Sequence, residues 1–356
     1  MQRQLLSWTT LGPILAWVVV LLAGAGFAPV WLVALLLAAA VTGAVHHAEV
    51  IAHRLGEPFG TLILALAVTI IEVGLIVSLM MGAEDGAASL ARDTVIAAVM
   101  IILNGIIGIC LLIGGIKHRE QSFQQSGVSA ALATISALTV LSLVLPNFTV
   151  SEAGPVYSPG QLAFVAVVSL ALYITFVMVQ TVRHRDYFLP PKPVVAADEH
   201  AELPTNAATA ASAVLLVAAL GAVVLLAKQL SGPLDHMVVA IGAPKAIVGI
   251  MIAGLVLLPE GVAAVRAALR NRIQTSLNLA LGSALATIGL TIPAVSALSV
   301  FAGLPVTLGL SGKGIVLLSL TLLVATLSLS NGRTTVLQGV VHLVIFFVYL
   351  FTTIVP

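Results

Sequence analysis

The feature that most constrains this chain is the length of its apolar runs. Crossing a hydrocarbon core of about 30 Å takes about 20 apolar residues in a helix. Such runs follow one another almost without pause from residue 9 to residue 354. No water reaches that depth, so each run must close its backbone hydrogen bonds within itself, and helix is the regular structure open to it. The runs predict eleven spans, at about 9–26, 28–53, 58–82, 93–116, 127–146, 160–183, 205–230, 245–268, 273–300, 314–330 and 333–354. Charged residues are 8% of the chain and hydrophobic ones 60%, against roughly 25% charge in a soluble domain. The expected fold class is an all-α polytopic membrane protein. A net charge of +1 gives no basis for nucleic-acid binding. Cys110, the single cysteine, forms no internal disulfide. Residues 1–10 lead into an apolar run without a small-residue cleavage pattern, so the first helix is expected to be retained.

Basic residues orient the spans. With the N-terminus cytoplasmic, that side receives Arg3, Arg54, Lys117, Arg119, Arg183, Arg185, Lys192, Arg266, Arg270, Arg272 and Arg333. The other side receives Arg92, Lys228, Lys245 and Lys313, so the split is 11 to 4 of the 15. This places the C-terminus outside. The longest polar break, at 183–205, holds Pro190-Pro-Lys-Pro193 and the acidic cluster 198–202. It reads as a solvated linker or as a cation-sensing segment.

Two apolar runs end on a carboxylate. Glu72 and Glu260 each lie about a dozen residues after a glycine, Gly60 and Gly249, in mostly aliphatic surroundings. Each is followed by a charged loop and an apolar helix with polar residues: Asn104-Gly105 in one case, Gly282-Ser283 and Thr287 in the other. The two helices are five apart, an odd number, so they cross in opposite directions. The chain thus divides into an extra N-terminal helix (1–27), a five-helix repeat (28–183), a cytoplasmic linker (184–204) and a second, inverted five-helix repeat (205–356). Inverted repeats commonly place ion sites at the membrane midplane. Each glutamate is about 14 residues, or about 21 Å, into its helix, near mid-bilayer, so the two can approach one another.

A carboxylate at that depth is costly and by default functional. Ca²⁺ takes six to eight oxygens. Glu72 and Glu260 would supply the charge of a metal site, and Asn104, Ser283, Thr69 and Thr287 neutral oxygens. Pro259 frees a backbone carbonyl one turn before Glu260. The same two carboxylates can carry protons, because in a poorly solvated site they do not both stay ionised without a cation. The plainer readings remain: a lone Glu as a structural hydrogen-bond partner, and Asn, Ser and Thr as glue between membrane helices. His46, Glu49 and His53, spaced 3 and 4 apart, share one helix face. They read as a proton relay or gate, a transition-metal site or interfacial polar residues; the spacing is not the metalloprotease H-E-x-x-H. Glu84, Asp85 and Asp93 read as a solvated loop or as a patch that attracts cations, and His342 as a packed or interhelical group.

Three stretches carry a resemblance. They are His47-Ala-Glu-Val-Ile-Ala-His-Arg-Leu-Gly-Glu-Pro-Phe-Gly60 running on to Thr69-Ile-Ile-Glu72; Val248-Gly249 through Pro259-Glu260 to Ala280-Leu-Gly-Ser-Ala284; and Leu329-Ser-Asn-Gly-Arg-Thr334 with Gly339. Together they resemble the calcium/cation antiporter superfamily, and within it the cation/proton exchanger branch of the bacterial Cha type. The resemblance implies an initial helix plus two inverted five-helix repeats. It places the family's central glutamates on Glu72 and Glu260, the polar positions of the following helices on Asn104 and Ser283, and an acidic position on Glu49. Where the family has Gly-Asn-x-x-Glu, this chain has Val68-Thr-Ile-Ile-Glu72 and Val256-Leu-Leu-Pro-Glu260. The Gly-Ser before Asn104 reads Val99-Met100. Fewer side-chain oxygens at these positions favour more than one cation.

The expected function is secondary antiport of Ca²⁺, with Na⁺ or K⁺ as further substrates, against H⁺. No cofactor and no enzymatic activity are expected. A cation channel or an exchanger without proton coupling is the alternative, and an intramembrane enzyme on the His46, Glu49, His53 face is a third class. The expected partners are inorganic cations, protons and the bilayer, with a homo-oligomer left open. The expected location is the bacterial inner membrane.

Overall fold

The computed structural model of the chain describes residues 8–24, 27–56, 59–82, 87–190, 203–240, 242–303 and 305–355. The described residues are helical almost throughout. The helices are α1 (Trp8–Gly24), α2 (Val30–Leu55), α3 (Phe59–Gly82), α4 (Leu90–His118), α5 (Gln125–Phe148), α6 (Pro159–Arg183), α7 (Asn206–Ala240), α8 (Ala246–Leu269), α9 (Ile273–Ala302), α10 (Gly312–Ser328) and α11 (Val336–Ile354). Among the described residues nine helices are long and apolar enough to cross a membrane, and α1 and α10 are shorter apolar helices. The eleven spans expected from the sequence are therefore all present as helices.

Helix ends fall within three residues of expectation except at the end of α7, and one acidic residue is placed differently. α7 runs ten residues beyond the expected 230, through Ser231, Gly232 and Pro233, to Ala240. Pro233 removes one backbone N–H but need not end a helix, and Lys228, two residues before the expected end, lies twelve residues before the observed one. Asp93, read with the solvated loop although it opens the expected span 93–116, belongs to the first turn of α4, where an acid suits the helix dipole. It accepts from Ser89 Oγ at 3.1 Å and pairs with Arg92 at 2.8 Å. Glu84, Asp85 and the acidic cluster 198–202 lie outside the described residues.

The chain forms two compact units. One comprises Met1–Ala87 and Ala197–Val248, the other Ala88–Ala196 and Gly249–Pro356. Each unit draws on both halves of the sequence, so the units cut across the expected repeats.

The first unit packs α1, α2, α3 and α7. Small residues allow close approach: a Cβ on Gly60 would lie 2.4 Å from the Ala52 carbonyl oxygen, and one on Gly74 2.9 Å from Val224 Cγ2. Ser78 Oγ donates to the Val224 carbonyl at 3.2 Å, and Trp17 Nε1 to that of Ala218 at 2.9 Å.

In the second unit α4 packs on α11, and α9 on α5 and α6. Three of its helices contain π-helical segments, Ile101–Ile106 in α4, Val140–Val144 in α5 and Val179–Arg183 in α6. Such segments shift the helix register and are frequent at functional sites. A two-residue antiparallel ladder pairs β1 (Gln121–Ser122) with β2 (Arg333–Thr334). Gln121 also donates to the Ala268 carbonyl and to Asn271 Oδ1, each at 3.0 Å. The loops after α4, α8 and α10 thus meet at one end of this unit. They bring together Lys117, Arg119, Arg266, Arg270, Arg272 and Arg333. At the other end Arg92 donates to the Gly309 carbonyl, and Lys313 to that of Thr352. Within this unit the basic residues are segregated as the positive-inside pattern expects.

Candidate functional site

In the first unit, Glu72 lies in mid α3 and is 2% exposed. Its neighbours Val68, Thr69, Ile71, Leu75 and Ile76 are buried too. Thr69, one turn earlier, donates its hydroxyl to the Ala65 carbonyl at 2.8 Å. The hydroxyl proton is therefore directed back along the helix, and the oxygen lone pairs are left for another partner.

On α2 the structure separates two sets of polar residues. His46, Glu49 and His53 are on an exposed face. Among the described residues no group of three or more His, Cys, Asp or Glu could hold a metal ion. The transition-metal reading of the His46, Glu49, His53 face is therefore not supported; two histidines and one carboxylate spread over two helical turns do not converge. His47 faces the other way and is 4% exposed. Its Nε2 lies 3.1 Å from the Thr9 carbonyl and its Nδ1 3.2 Å from Ser212 Oγ. A carbonyl only accepts, so Nε2 carries the proton; in the neutral ring Nδ1 then accepts from Ser212. His47 thus joins α1, α2 and α7. Sequence reasoning missed it, although Ala40, Gly43, Ala44 and Ala48, which are buried with it, mark its face as a packing face.

In the second unit, Asn104 sits in the π segment of α4 and is 0% exposed. Its Nδ2 donates to Thr321 Oγ1 of α10 at 2.8 Å, and its Oδ1 lies 3.2 Å from His342 Nδ1 of α11. Thr321 Oγ1 in turn lies 3.4 Å from Met100 Sδ. Thr321 and His342 are also 0% exposed. The protons can be assigned along this chain. The Asn104 oxygen only accepts, so His342 Nδ1 carries a hydrogen; the Thr321 oxygen accepts from Asn104, so its own hydrogen points to the Met100 sulfur. The four residues form one directed sequence, His342 to Asn104 to Thr321 to Met100. Its members come from three helices, and it starts at His342 and ends on the residue that stands where a serine was expected. One lone pair of Asn104 Oδ1 is left over for a further partner.

Glu260 is half-buried in α8. Pro259 before it lies inside the helix and deprives the Leu255 carbonyl of its helical hydrogen bond. Gly249 permits close packing: a Cβ there would lie 2.7 Å from the carbonyl carbon of Asp93. On α9, Ser283 is half-buried and Thr287, one turn on, is 2% exposed. The second unit alone therefore offers one carboxylate, one amide oxygen and two hydroxyls, all oxygen donors suited to hard cations.

The sodium/calcium exchanger protein family matches residues 25–182 and 211–355. The y4hA protein of Sinorhizobium fredii is 53% identical over 321 residues, which are 90% of this chain and 87% of that protein. The sodium-potassium/proton antiporter ChaA of Escherichia coli is 37% identical over 310 residues, 86% of this chain and 84% of that one. A solved structure of the Ca²⁺/H⁺ antiporter YfkE superposes with a TM-score of 0.71 at 16% identity, covering 98% of each chain, and so shows the same fold. These matches agree with the helical membrane architecture: the chain is an integral membrane antiporter for inorganic cations, and it belongs to the sodium/calcium exchanger protein family, among the Cha-like members of the calcium/cation antiporter superfamily.

Proposed function

We propose that the protein exchanges cations for protons, and that Glu72 and Glu260 are the groups that carry both. The observation behind this reading is the burial of Glu72, a carboxylate 2% exposed in the middle of an apolar helix, with its counterpart Glu260 in a helix of matching sequence. A carboxylate removed from water is costly as a lone anion. It is stabilised by a cation or by a proton, and the departure of one favours arrival of the other. That competition is sufficient for antiport when access alternates between the two sides.

The proposed substrates are Ca²⁺, Na⁺ and K⁺. The likeness to a sodium-potassium/proton antiporter supports the monovalent ions, and the shared fold of a Ca²⁺/H⁺ antiporter is compatible with Ca²⁺. Asn104, Ser283, Thr69 and Thr287 would supply neutral oxygens. A fully buried Met100 sulfur stands close to the Asn104 amide, and soft sulfur is a poor ligand for these hard ions. This lowers the oxygen count and favours ions that demand fewer ligands. The basic residues at one end of the second unit support a cytoplasmic placement of that end, with the N-terminus inside and the bacterial inner membrane as the location.

The test is a panel assay in proteoliposomes with a pH-sensitive dye trapped inside. An imposed proton gradient should collapse on addition of Na⁺, K⁺ or Ca²⁺. Cation flux driven by voltage alone, with no proton movement, would assign a channel instead.

A further inference from the structure

The second unit carries a groove of ≈ 400 Å³ between α4 and α8, lined by Ile101, Ile106, Ile109, Leu257, Leu258 and Val262 among others, with Arg266 at its end. Two glycines of α8, Gly254 and Gly261, also line it. No atom lies within 4 Å of a Cβ placed on Gly254, and one on Gly261 would sit 3.2 Å from Ile106 Cδ1. The missing side chains are thus what opens the groove. We propose that it is a binding site for an anionic glycerophospholipid, with one acyl chain in the groove and the phosphate at Arg266.

Length and charge carry this assignment. From Gly254 to Arg266 is twelve helical steps, about 18 Å; with Glu260 near mid-bilayer, the six steps from Glu260 to Arg266, about 9 Å, lie within the ~15 Å hydrocarbon depth of one leaflet. An acyl chain with its head group at the arginine therefore runs along the groove to the midplane, and its tail crosses toward Gly254. The arginine is not alone. His118 Nε2 lies 3.1 Å from the Leu269 carbonyl, and Gln121 Nε2 3.0 Å from that of Ala268. These contacts hold the end of α4, with exposed Lys117 and Arg119, against the end of α8, with exposed Arg266 and Arg270. The acid nearby, Glu120, is 3.5 Å from Arg333 and so has its own cation. A membrane pocket with apolar walls and a basic mouth matches an anionic lipid better than a zwitterionic one. Glu260 lies about 145° around α8 from the centre of the groove-lining face, so the lipid sits behind the glutamate and does not compete with cations for it. It would brace α8 against α4.

Native mass spectrometry of the purified full-length protein tests this, with phosphatidylglycerol and phosphatidylcholine of identical acyl chains as probes. Phosphatidylglycerol should be retained in preference. Arg266→Gln should weaken that retention about fivefold, the effect of one basic group near the head group. Gly254→Leu fills the groove and should abolish retention with all the basic residues in place; Val262→Phe is a second filler in case the first does not fold. Lys313→Gln, at the opposite end of the unit, should change nothing. Equal retention of the two lipids, or unchanged retention in both folded fillers, overturns the proposal. Displacement of the lipid by soluble glycerol phosphate assigns a free-anion site and overturns it as well. Proton-coupled transport is read separately, so its absence leaves this outcome unaffected.

Discussion

His342 Nδ1 stands 3.2 Å from Asn104 Oδ1, although 238 residues separate them in the chain. The contact joins α11 to the π segment of α4, and it sets the amide of Asn104 in one orientation, oxygen toward the ring and nitrogen toward Thr321. Among the described residues the other ring nitrogen of His342, Nε2, has no hydrogen-bond partner. A bare polar atom at a 0% exposed position is a cost that an apolar residue of similar size would avoid. The position of His342 is therefore explained by its partner: it holds the oxygen of Asn104 in place.

Removing the donor should expose that role. His342→Leu leaves the buried Asn104 oxygen without its hydrogen bond, at a cost of about 1–3 kcal/mol. The thermal midpoint of the detergent-solubilised protein should fall. The cation concentration for half-maximal transport should rise more than the maximal rate falls. His342→Gln, which can donate through its side-chain amide, should recover part of the cation affinity. A loss of stability with unchanged cation affinity would reduce His342 to a packing residue.

Glu72→Gln and Glu260→Gln each keep the shape of the side chain and remove its charge. Neither variant should collapse a proton gradient on cation addition above the level of protein-free liposomes. If either carboxamide variant retains full coupled exchange, that carboxylate is not a carrier of cation and proton.

The eleven spans were legible because lipid solvent imposes one rule, a run of about 20 apolar residues; α7 ran long because Ser231, Gly232 and Pro233 resemble a break to any local rule. Glu72 and Glu260 stood out as candidates for the same reason, since charge stands out in hydrocarbon. His342 is the packed, interhelical group its sequence context suggested, but its partner was not legible, and His47 was not seen as a hub. Their partners Ser212 and Asn104 lie on other helices, 165 and 238 residues away, and no spacing within one helix reports such a contact. Met100 was visible only as a departure from a motif; its sulfur as the terminus of the Asn104 chain required the packed structure.

Met100→Ser replaces that sulfur with an oxygen, the donor type hard cations prefer. The ratio of Ca²⁺-driven to Na⁺-driven exchange should increase in the variant, measured as initial rates in matched proteoliposomes. Thr321→Val should act in the opposite direction on the network: it removes the acceptor for Asn104 Nδ2, with a destabilisation of about 1–3 kcal/mol. An unchanged ion ratio in Met100→Ser would separate Met100 from selectivity.

Tyr157, in the loop between α5 and α6, is 9% exposed and donates its hydroxyl to the Leu141 carbonyl. Burial pushes its pKa up to about 12, against about 10 in an unfolded chain. Between these values the unfolded state has lost the proton and the folded state keeps it, so stability falls as pH rises from about 10 to about 12. Tyr157→Phe should flatten that alkaline decline in a pH series of thermal midpoints. It should also lower the neutral-pH midpoint through loss of one hydrogen bond worth about 1 kcal/mol.

Two glycines of α8 should respond oppositely to the same substitution. A Cβ on Gly249 would lie 2.7 Å from the Asp93 carbonyl carbon and 2.9 Å from both its oxygen and the Thr94 nitrogen. These are backbone atoms and cannot turn aside, so Gly249→Ala must separate α8 from α4. Overpacking of this kind costs about 1–3 kcal/mol. Gly254, five residues on, has no atom within 4 Å of an added Cβ. There alanine adds only its helix preference over glycine, up to about 1 kcal/mol. Thermal midpoints measured side by side should drop for Gly249→Ala and rise for Gly254→Ala. A drop in both would mean that the two helices lie closer along their whole length than the groove between them implies.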